Sequence, residues 1–426
     1  MVRGGGVSAL AVVSSTLNSG QSCAYQGIRQ AIRTRSHVGA VLSAPAGSGK
    51  TFLTAALVGD LLQGGYSVAC TAPTNKAVGV ISEKIPAAEA MTTHGLLGLR
   101  LKKTEWGGYT LEPEGKSKVA DFDVIVVDEC SMLDAKLYDP LMAQSSNAFL
   151  LFVGDPHQLP PPISGLERSP VFDDPRHAQF TLGEIVRQKA GSPILALATA
   201  IREHAEGRFP VGRLREFPGI EIIGQEQVTS SWQAGARILA YRNATVESYN
   251  RQMHDQFFPH TRWPFCPRER VILSRQFETL SGARLHNSAE GIVTGIAEGR
   301  HRFWPDIPTW RISLEMDDGS RASEFYPQDP REYQRLIGEA WSRWRETKKV
   351  DPQDAKALSR HAWALTDAFV PLRLGYASTV HKAQGSTFHT AIVDIHDLSA
   401  IKAHREFNKL LYTAVTRPSD RLILAM

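Results

Sequence analysis

Few cysteines, no long apolar run and no strong excess of either charge characterise this chain of 426 residues. The four cysteines, Cys23, Cys70, Cys130 and Cys266, lie far apart, and no CxxC or Cys/His pair has zinc-ligand spacing. Neither a disulfide framework nor a metal knuckle is therefore indicated. No apolar run approaches the roughly 18 residues that a membrane span needs, so no membrane partner is expected. The N-terminal MVRGGGVSALAVVSSTLNSGQ carries one Arg and a short apolar stretch broken by Ser. That is a poor secretory leader, and a cytoplasmic location is expected, nucleoid-associated or in host cytoplasm if the source is a virus. Solenoid repeats and low-complexity tracts are also lacking. The formal charge of +4 is mild; it permits nucleic-acid binding without demanding it. What remains is an ordinary soluble balance, 42% apolar and 22% charged, in a chain long enough for two or three domains.

The first part alternates strand and helix signals. Short apolar runs at Val38–Ser43, Ser67–Ala72, Asp123–Val127 and Phe149–Val153 read as buried parallel strands. A helical pattern at Thr51–Gln63 ends at Gly64–Gly65. The class is α/β, a parallel sheet with helices on both faces. Residues 100–118, polar and Gly-containing, break the rhythm as a small insertion, read as a hairpin. A second α/β unit is expected from about Phe180, with strands at Ala236–Tyr241, Ala391–Ile395 and Arg421–Ala425. Within it, residues 291–371 change character. Gly291–Ala297, Thr309–Met316 and Arg321–Tyr326 alternate like antiparallel strands, with Asp318–Gly319 as a hairpin signal. A helix opened by Asp329–Pro330 follows. Its Tyr333, Leu336, Ile337, Ala340, Trp341 and Trp344 form a stripe, read as a packed helix face before a base-stacking surface.

Residues 44–51, APAGSGKT, lie directly after a strand and before a helix, the context of a phosphate-binding loop. Backbone N–H groups of Ala46, Gly47, Ser48, Gly49, Lys50, Thr51 and Phe52 are positioned to line nucleotide phosphates, helped by the helix N-terminus. Lys50 is expected at the β- and γ-phosphates of ATP and the Thr51 hydroxyl on Mg²⁺. Ala44 stands where the consensus has Gly, a small departure at a position that shapes the turn. Strand Asp123–Val127 runs into Asp128–Glu129 at the carboxyl edge where open α/β sheets bind ligands. Asp128 would hold Mg²⁺ through water, and Glu129 would orient or deprotonate the attacking water. An acidic pair at a strand end is commonly just solvated, and a small-molecule kinase would need only these parts.

Further signals go beyond a generic ATPase. GDPHQLPP (154–161) follows a third strand and places Gln158 at its edge, within reach of a γ-phosphate. LLYTAVTRPSDR (410–421) carries Arg417, and FTLGEIVRQ (180–188) carries Arg187. Either arginine could stabilise transition-state charge from a second lobe; a surface salt bridge is the common alternative for each. A site shared by two lobes lets ATP draw them together and hydrolysis part them, provided ATP binds the closed state better.

The ordered series LNSGQ (17–21), APAGSGKT, TAPTNKAV (71–78), TTHGLLGL (92–99), VIVVDECSM (124–132), GDPHQLPP, FTLGEIVRQ, YASTVHKAQGSTF (376–388) and LLYTAVTRPSDR resembles superfamily 1B DNA helicases of the RecD/Dda type, over nearly the whole chain. The resemblance implies two RecA-like lobes in tandem, a small pin-bearing insertion in the first and an SH3-like β insertion in the second. On that pattern the first lobe is 1–179, the second 180–290 with 372–426, and the inserted domain 291–371, with nothing beyond the motif that holds Arg417. Gln21 looks like the family's adenine-reading glutamine, an amide suited to the N6/N7 edge. Pro73, Thr74 and Asn75, with Thr93 and His94, look like strand contacts of the first lobe; Thr379, His381 and Lys382 look like those of the second. Such groups hold phosphates without reading sequence. Thr74 could equally be a helix cap, and His94 a buried packing histidine. Gln384 and Gly385 should lie near the γ-phosphate. Trp106 and Tyr109 are the candidates for the strand-splitting pin, and Pro-Ser after Arg417 departs from the small or basic residues common there.

The activity so implied is an ATP-dependent, DNA-stimulated helicase that translocates 5′→3′ on single strands, in DNA replication, repair or recombination. Its partners would be single-stranded DNA, duplex junctions and replication or recombination proteins, with the chain acting as a monomer. A passive single-strand-binding module with a vestigial ATP site is the rival from another class; the intact Lys50, Asp128 and Glu129 argue against it. A P-loop kinase is the third reading, and it leaves the second lobe's motifs without a purpose.

Overall fold

The computed structural model describes residues 17–103, 109–161, 168–183 and 192–426. They form two compact units. The first takes in the chain up to Val228, Gln233–Tyr241 and Ala383–Met426; the second takes in Thr229–Trp232 and Arg242–Lys382.

The first unit holds two parallel sheets. One has the order Glu89–Thr92, Val68–Ala72, Val124–Val127, Phe149–Gly154, Gly39–Ser43, His177–Thr181, every neighbouring pair parallel. Its inner strands are apolar on both sides because both faces are covered. Val124 and Val126 join a core with helices Ser19–Thr34, Lys50–Gln63 and Asn75–Lys84, through Ile28, Leu57 and Ile81. Ile125 and Val127 point the other way, to Leu137 and Leu141 of helix Ala135–Gln144. The second sheet brings together Ala236–Ala240, Phe388–Asp394, Pro418–Ala425 and Glu221–Ile223, again all parallel. Helix His404–Val415 covers it and is fixed by the Asn408 side chain, whose oxygen accepts from the Phe209 N–H at 2.8 Å.

One sequence expectation shifts here. Phe180 does not open the second sheet: strand His177–Thr181 pairs with Gly39–Ser43, Gly39 opposite His177, and closes the first. This edge strand alternates in burial instead of forming an apolar run, which hides it from a search for buried strands. The insertion at 100–118 does contain a hairpin, Leu99–Lys103 paired antiparallel with Tyr109–Pro113. Trp106 lies outside the described residues.

The second unit is built on an antiparallel sheet, Arg321–Pro327, Pro308–Met316, Glu290–Arg300, Arg270–Leu273, Leu372–Leu374. Two of its strands, Arg270–Leu273 and Leu372–Leu374, fall outside the 291–371 expected for an insert. The Asp318–Gly319 turn has Gly319 at φ 81, and the Asp318 carboxylate accepts from Ser320 N–H at 2.9 Å. Helix Pro330–Val350 is capped by Asp329, which accepts from the Arg331 and Glu332 N–H groups. It lies against a second helix, Pro352–Thr366, which the sequence reading did not foresee. The aromatic stripe is indeed internal: Tyr333 and Trp344 are buried, Trp341 meets Trp344 and Trp363 edge-on, and Tyr333 meets Phe369.

The same unit contains a buried polar knot. His254, Cys266 and Glu269 come close enough to share a metal ion. The Glu269 oxygens already take His254 Nδ1 at 2.9 Å, the Tyr376 hydroxyl at 2.7 Å and the Cys266 N–H at 2.5 Å. His254 Nε2 lies 3.1 Å from the Trp263 carbonyl. With every strong donor and acceptor matched, this is a hydrogen-bonded network that ties helix Asn243–Phe257 to the sheet.

Candidate nucleotide and nucleic-acid site

Strands Val124–Val127, Phe149–Gly154 and Gly39–Ser43 are neighbours in the first sheet, so their carboxyl ends place Asp128–Glu129, Asp155 and the phosphate loop side by side. Gly49 has φ 80, and a Cβ there would fall 2.5 Å from the Gln21 side-chain nitrogen, so only glycine fits. Helix Lys50–Gln63 starts at once, its N-terminal amides toward the loop. Phe52 is exposed beside it.

Gln21 is buried and already engaged. Its oxygen accepts from Asn18 N–H at 3.2 Å, completing a capping box with Asn18, and its nitrogen donates to the Ser48 carbonyl at 3.1 Å. The residue thus links helix Ser19–Thr34 to the phosphate loop.

Lys50 Nζ lies 3.6 Å from Glu129 Oε1. Burial opposes its charge, but the carboxylates of Glu129, Asp128 and Asp155 outweigh that and hold the ammonium above its ordinary range. Burial pushes the Asp128 carboxyl up to about 6, with Lys50 pulling the other way. Glu129 has φ 51, a left-handed backbone costly for a side chain with a Cβ. Its Oε2 and the Gln158 Oε1 are buried without a hydrogen-bond partner among the described residues. Buried oxygens of this kind are rare unless something else occupies the site.

Arg417, just beyond helix His404–Val415, reaches the same place from the second sheet. It is 5% exposed. Its Nε donates to the Thr413 carbonyl at 2.9 Å, Nη1 to the Ser386 carbonyl at 3.2 Å and Nη2 to the Thr416 hydroxyl at 3.0 Å. Burial lowers its pKa, while the charges of Glu129 and Asp155 resist. Gln384 is buried, with its nitrogen 3.5 Å from both Ser131 Oγ and the Leu159 carbonyl, and Gly385 has φ 75. Lys50, Asp128, Glu129, Gln158, Gln384 and Arg417 are therefore gathered in one place. Arg187 lies outside the described residues.

The strand-contact candidates divide. Thr74 caps helix Asn75–Lys84, accepting from Ala77 N–H at 3.3 Å; Pro73 and Asn75 flank it, half-buried. Thr93 opens the short helix Thr93–Leu96, is fully buried, and its hydroxyl donates to the Thr71 hydroxyl 3.5 Å away, so it serves the core. His94, half-buried, is held below the ordinary imidazole range by burial, with Asp134 opposing. In the second unit Thr379 is buried and accepts from Lys382 N–H at 3.3 Å, whereas His381 and Lys382 are exposed.

Two site residues escaped the sequence reading. Asp155 is fully buried, and its Oδ2 accepts from the Tyr412 hydroxyl at 2.6 Å and the Ala46 N–H at 3.2 Å. Only the Gly-Asp pair at a strand end hinted at Asp155; Tyr412 gave no signal.

A phosphate loop, an acidic strand end and a buried arginine brought from a second parallel sheet define a P-loop ATPase with two RecA-like sheets. Comparison with known proteins narrows this. The AAA domain family matches residues 16–216 and the UvrD-like helicase C-terminal domain family matches 374–425. The chain is similar to the ATP-dependent DNA helicase dda of Enterobacteria phage T4, with 25% identity, 94% of this chain and 97% of the relative covered. It is also similar to the ATP-dependent RecD2 DNA helicase of Deinococcus radiodurans, with 28% identity over 90% of this chain but only 46% of the relative. In fold it is similar to Bacteroides Pif1 bound to single-stranded DNA, TM-score 0.57 at 18% identity, covering 94% and 91% of the two chains. Over nearly its whole length the chain is therefore similar to superfamily 1B helicases of the RecD and Dda kind.

Proposed function

We propose that the protein hydrolyses ATP to move 5′→3′ along single-stranded DNA and to part duplex at junctions. One observation carries this reading: Lys50 and Arg417, from opposite ends of the chain and from different sheets, share one buried cluster of charge with Asp128, Glu129 and Asp155. A γ-phosphate between them would be held by both sheets, so its cleavage would free one from the other. Lys50 binds the β- and γ-phosphates, Glu129 orients the attacking water, Gln158 and Gln384 sense the γ-phosphate, and Arg417 stabilises charge in the transition state. The unpartnered Glu129 Oε2 and the raised Asp128 carboxyl suit a divalent cation. Thr51 and Asp128 would hold Mg²⁺, which supplies charge neutralisation to the phosphates. Thr74, Asn75, His381 and Lys382 would grip the strand's phosphates. The direction rests on the family resemblance, as do a role in replication, repair or recombination and an SH3-like character for the antiparallel sheet.

The experiment is ATP turnover with and without single-stranded DNA, together with unwinding of 5′- and 3′-tailed duplexes. Stimulated turnover and unwinding from the 5′ tail are expected, and Lys50→Ala should abolish turnover while still binding DNA. Turnover indifferent to DNA defeats the motor reading; unwinding from the 3′ tail alone defeats the direction.

A further inference from the structure

Tyr412 belongs to helix His404–Val415, one turn before Arg417. Its hydroxyl donates to Asp155 Oδ2 at 2.6 Å and lies 3.3 Å from the Ala46 N–H, which also donates to Asp155. The His157 N–H holds Asp155 Oδ1 at 3.0 Å. One phenol oxygen thus ties three segments: the phosphate loop, the end of strand Phe149–Gly154 and the helix that delivers Arg417. Tyr412 is 3% exposed and Asp155 0%. Burial and the Asp155 charge drive the phenol pKa upward, so the hydroxyl stays a donor throughout the working pH range. Burying a carboxylate against a hydroxyl is an expensive way to fill space; phenylalanine against an apolar residue would pack as well. Asp155 also lends its charge to both Lys50 and Arg417.

We propose that Tyr412 is a positioning residue for hydrolysis: through Asp155 and Ala46 its hydroxyl sets how far the arginine-bearing helix stands from the phosphate loop. The Ala46 N–H, expected from the sequence among the phosphate-lining amides, is instead turned to Asp155 and Tyr412, and the amides that would cradle phosphate follow it directly. A change in loop occupancy therefore reaches the helix through one hydrogen-bonded junction. The inference rests on the reading that Arg417 acts on the γ-phosphate.

The test is Tyr412→Phe, which keeps the ring, measured for ATP turnover with and without single-stranded DNA and in an Arg417→Ala background. Losing one buried, charge-assisted hydrogen bond should lower kcat about 10-fold, with KM for ATP moving less than about threefold. In the Arg417→Ala background the same change should cost nothing further, because Tyr412 acts through Arg417. Asp155→Asn should reproduce the kcat loss and serves as the second variant if Tyr412→Phe fails to fold. Unchanged kcat in both variants overturns the proposal. So does an equal loss with and without Arg417, which would mark a packing defect, with thermal unfolding run in parallel. Turnover that responds to Tyr412 but ignores single-stranded DNA defeats the helicase reading alone. An unsubstituted protein with no ATP turnover defeats both.

Discussion

Arg417 carries a full positive charge to a place where almost no solvent reaches it. Three of its five N–H donors are met by oxygens of Thr413, Ser386 and Thr416, so the guanidinium is held in a fixed plane next to the phosphate loop. Such preorganisation is what an arginine finger needs. Arg417→Ala should cut ATP turnover by about 10³-fold or more. Arg417→Lys should restore little, because a single ammonium cannot reach three oxygens arranged for a fork. Steady-state turnover alongside a melting curve separates chemistry from folding, and wild-type turnover in a folded Ala variant removes Arg417 from the mechanism. Glu129 and Asp128 were recognisable from their position after an apolar strand. Asp155 and Tyr412 were not, since a carboxylate in a Pro-rich loop and a tyrosine in an amphipathic helix acquire meaning only when distant segments meet. Thr74 shows the converse: a hydroxyl that reads as a phosphate contact also caps its own helix.

At the scale of elements, continuous apolar runs marked the buried strands within a residue or two, because strands covered on both faces cannot afford polar side chains. The alternating edge strand His177–Thr181 and the polar helix Pro352–Thr366 carry weak periodic signals, and both were missed. The network at the foot of helix Asn243–Phe257 yields a pH prediction. The Glu269 hydrogen bond raises the His254 pKa above the ordinary imidazole value; burial opposes it, and the Glu269 and Asp255 charges and the Trp263 carbonyl add to it. A histidine whose folded pKa is raised stabilises fully below its unfolded pKa of about 6.5 and loses that contribution as pH climbs through the folded value. The melting temperature of the second unit should therefore fall as pH rises above about 6.5. His254→Gln should flatten that part of the profile. Parallel pH profiles for the two proteins would show that His254 is not the titrating group.

For the whole molecule the issue is how a mildly basic chain holds a polyanion. With a formal charge of +4, overall attraction is modest, so a few placed cations must do the gripping. Single-strand affinity should fall steeply with salt as counterions are released. Removing one phosphate contact by Lys382→Ala should weaken binding to all sequences alike and make the log–log salt slope shallower by about 0.7. An unchanged slope, measured by fluorescence anisotropy across a salt series, would take Lys382 out of the DNA path. Two RecA-like sheets were legible at this scale because each catalytic motif must sit at a strand's carboxyl end. The extent of the second unit was not, because strands Arg270–Leu273 and Leu372–Leu374 join its sheet from outside the segment whose composition changes.

The left-handed backbone at Glu129 has a consequence for how such a protein can decay. Exchanging that residue for glycine would relax the main chain and remove an unmatched buried oxygen in one step, against the loss of the carboxylate that faces Lys50. On the proposed reading, in which Glu129 orients the attacking water, selection on turnover is what keeps the strained carboxylate there. A lineage released from the need to burn ATP would drift toward a motionless protein.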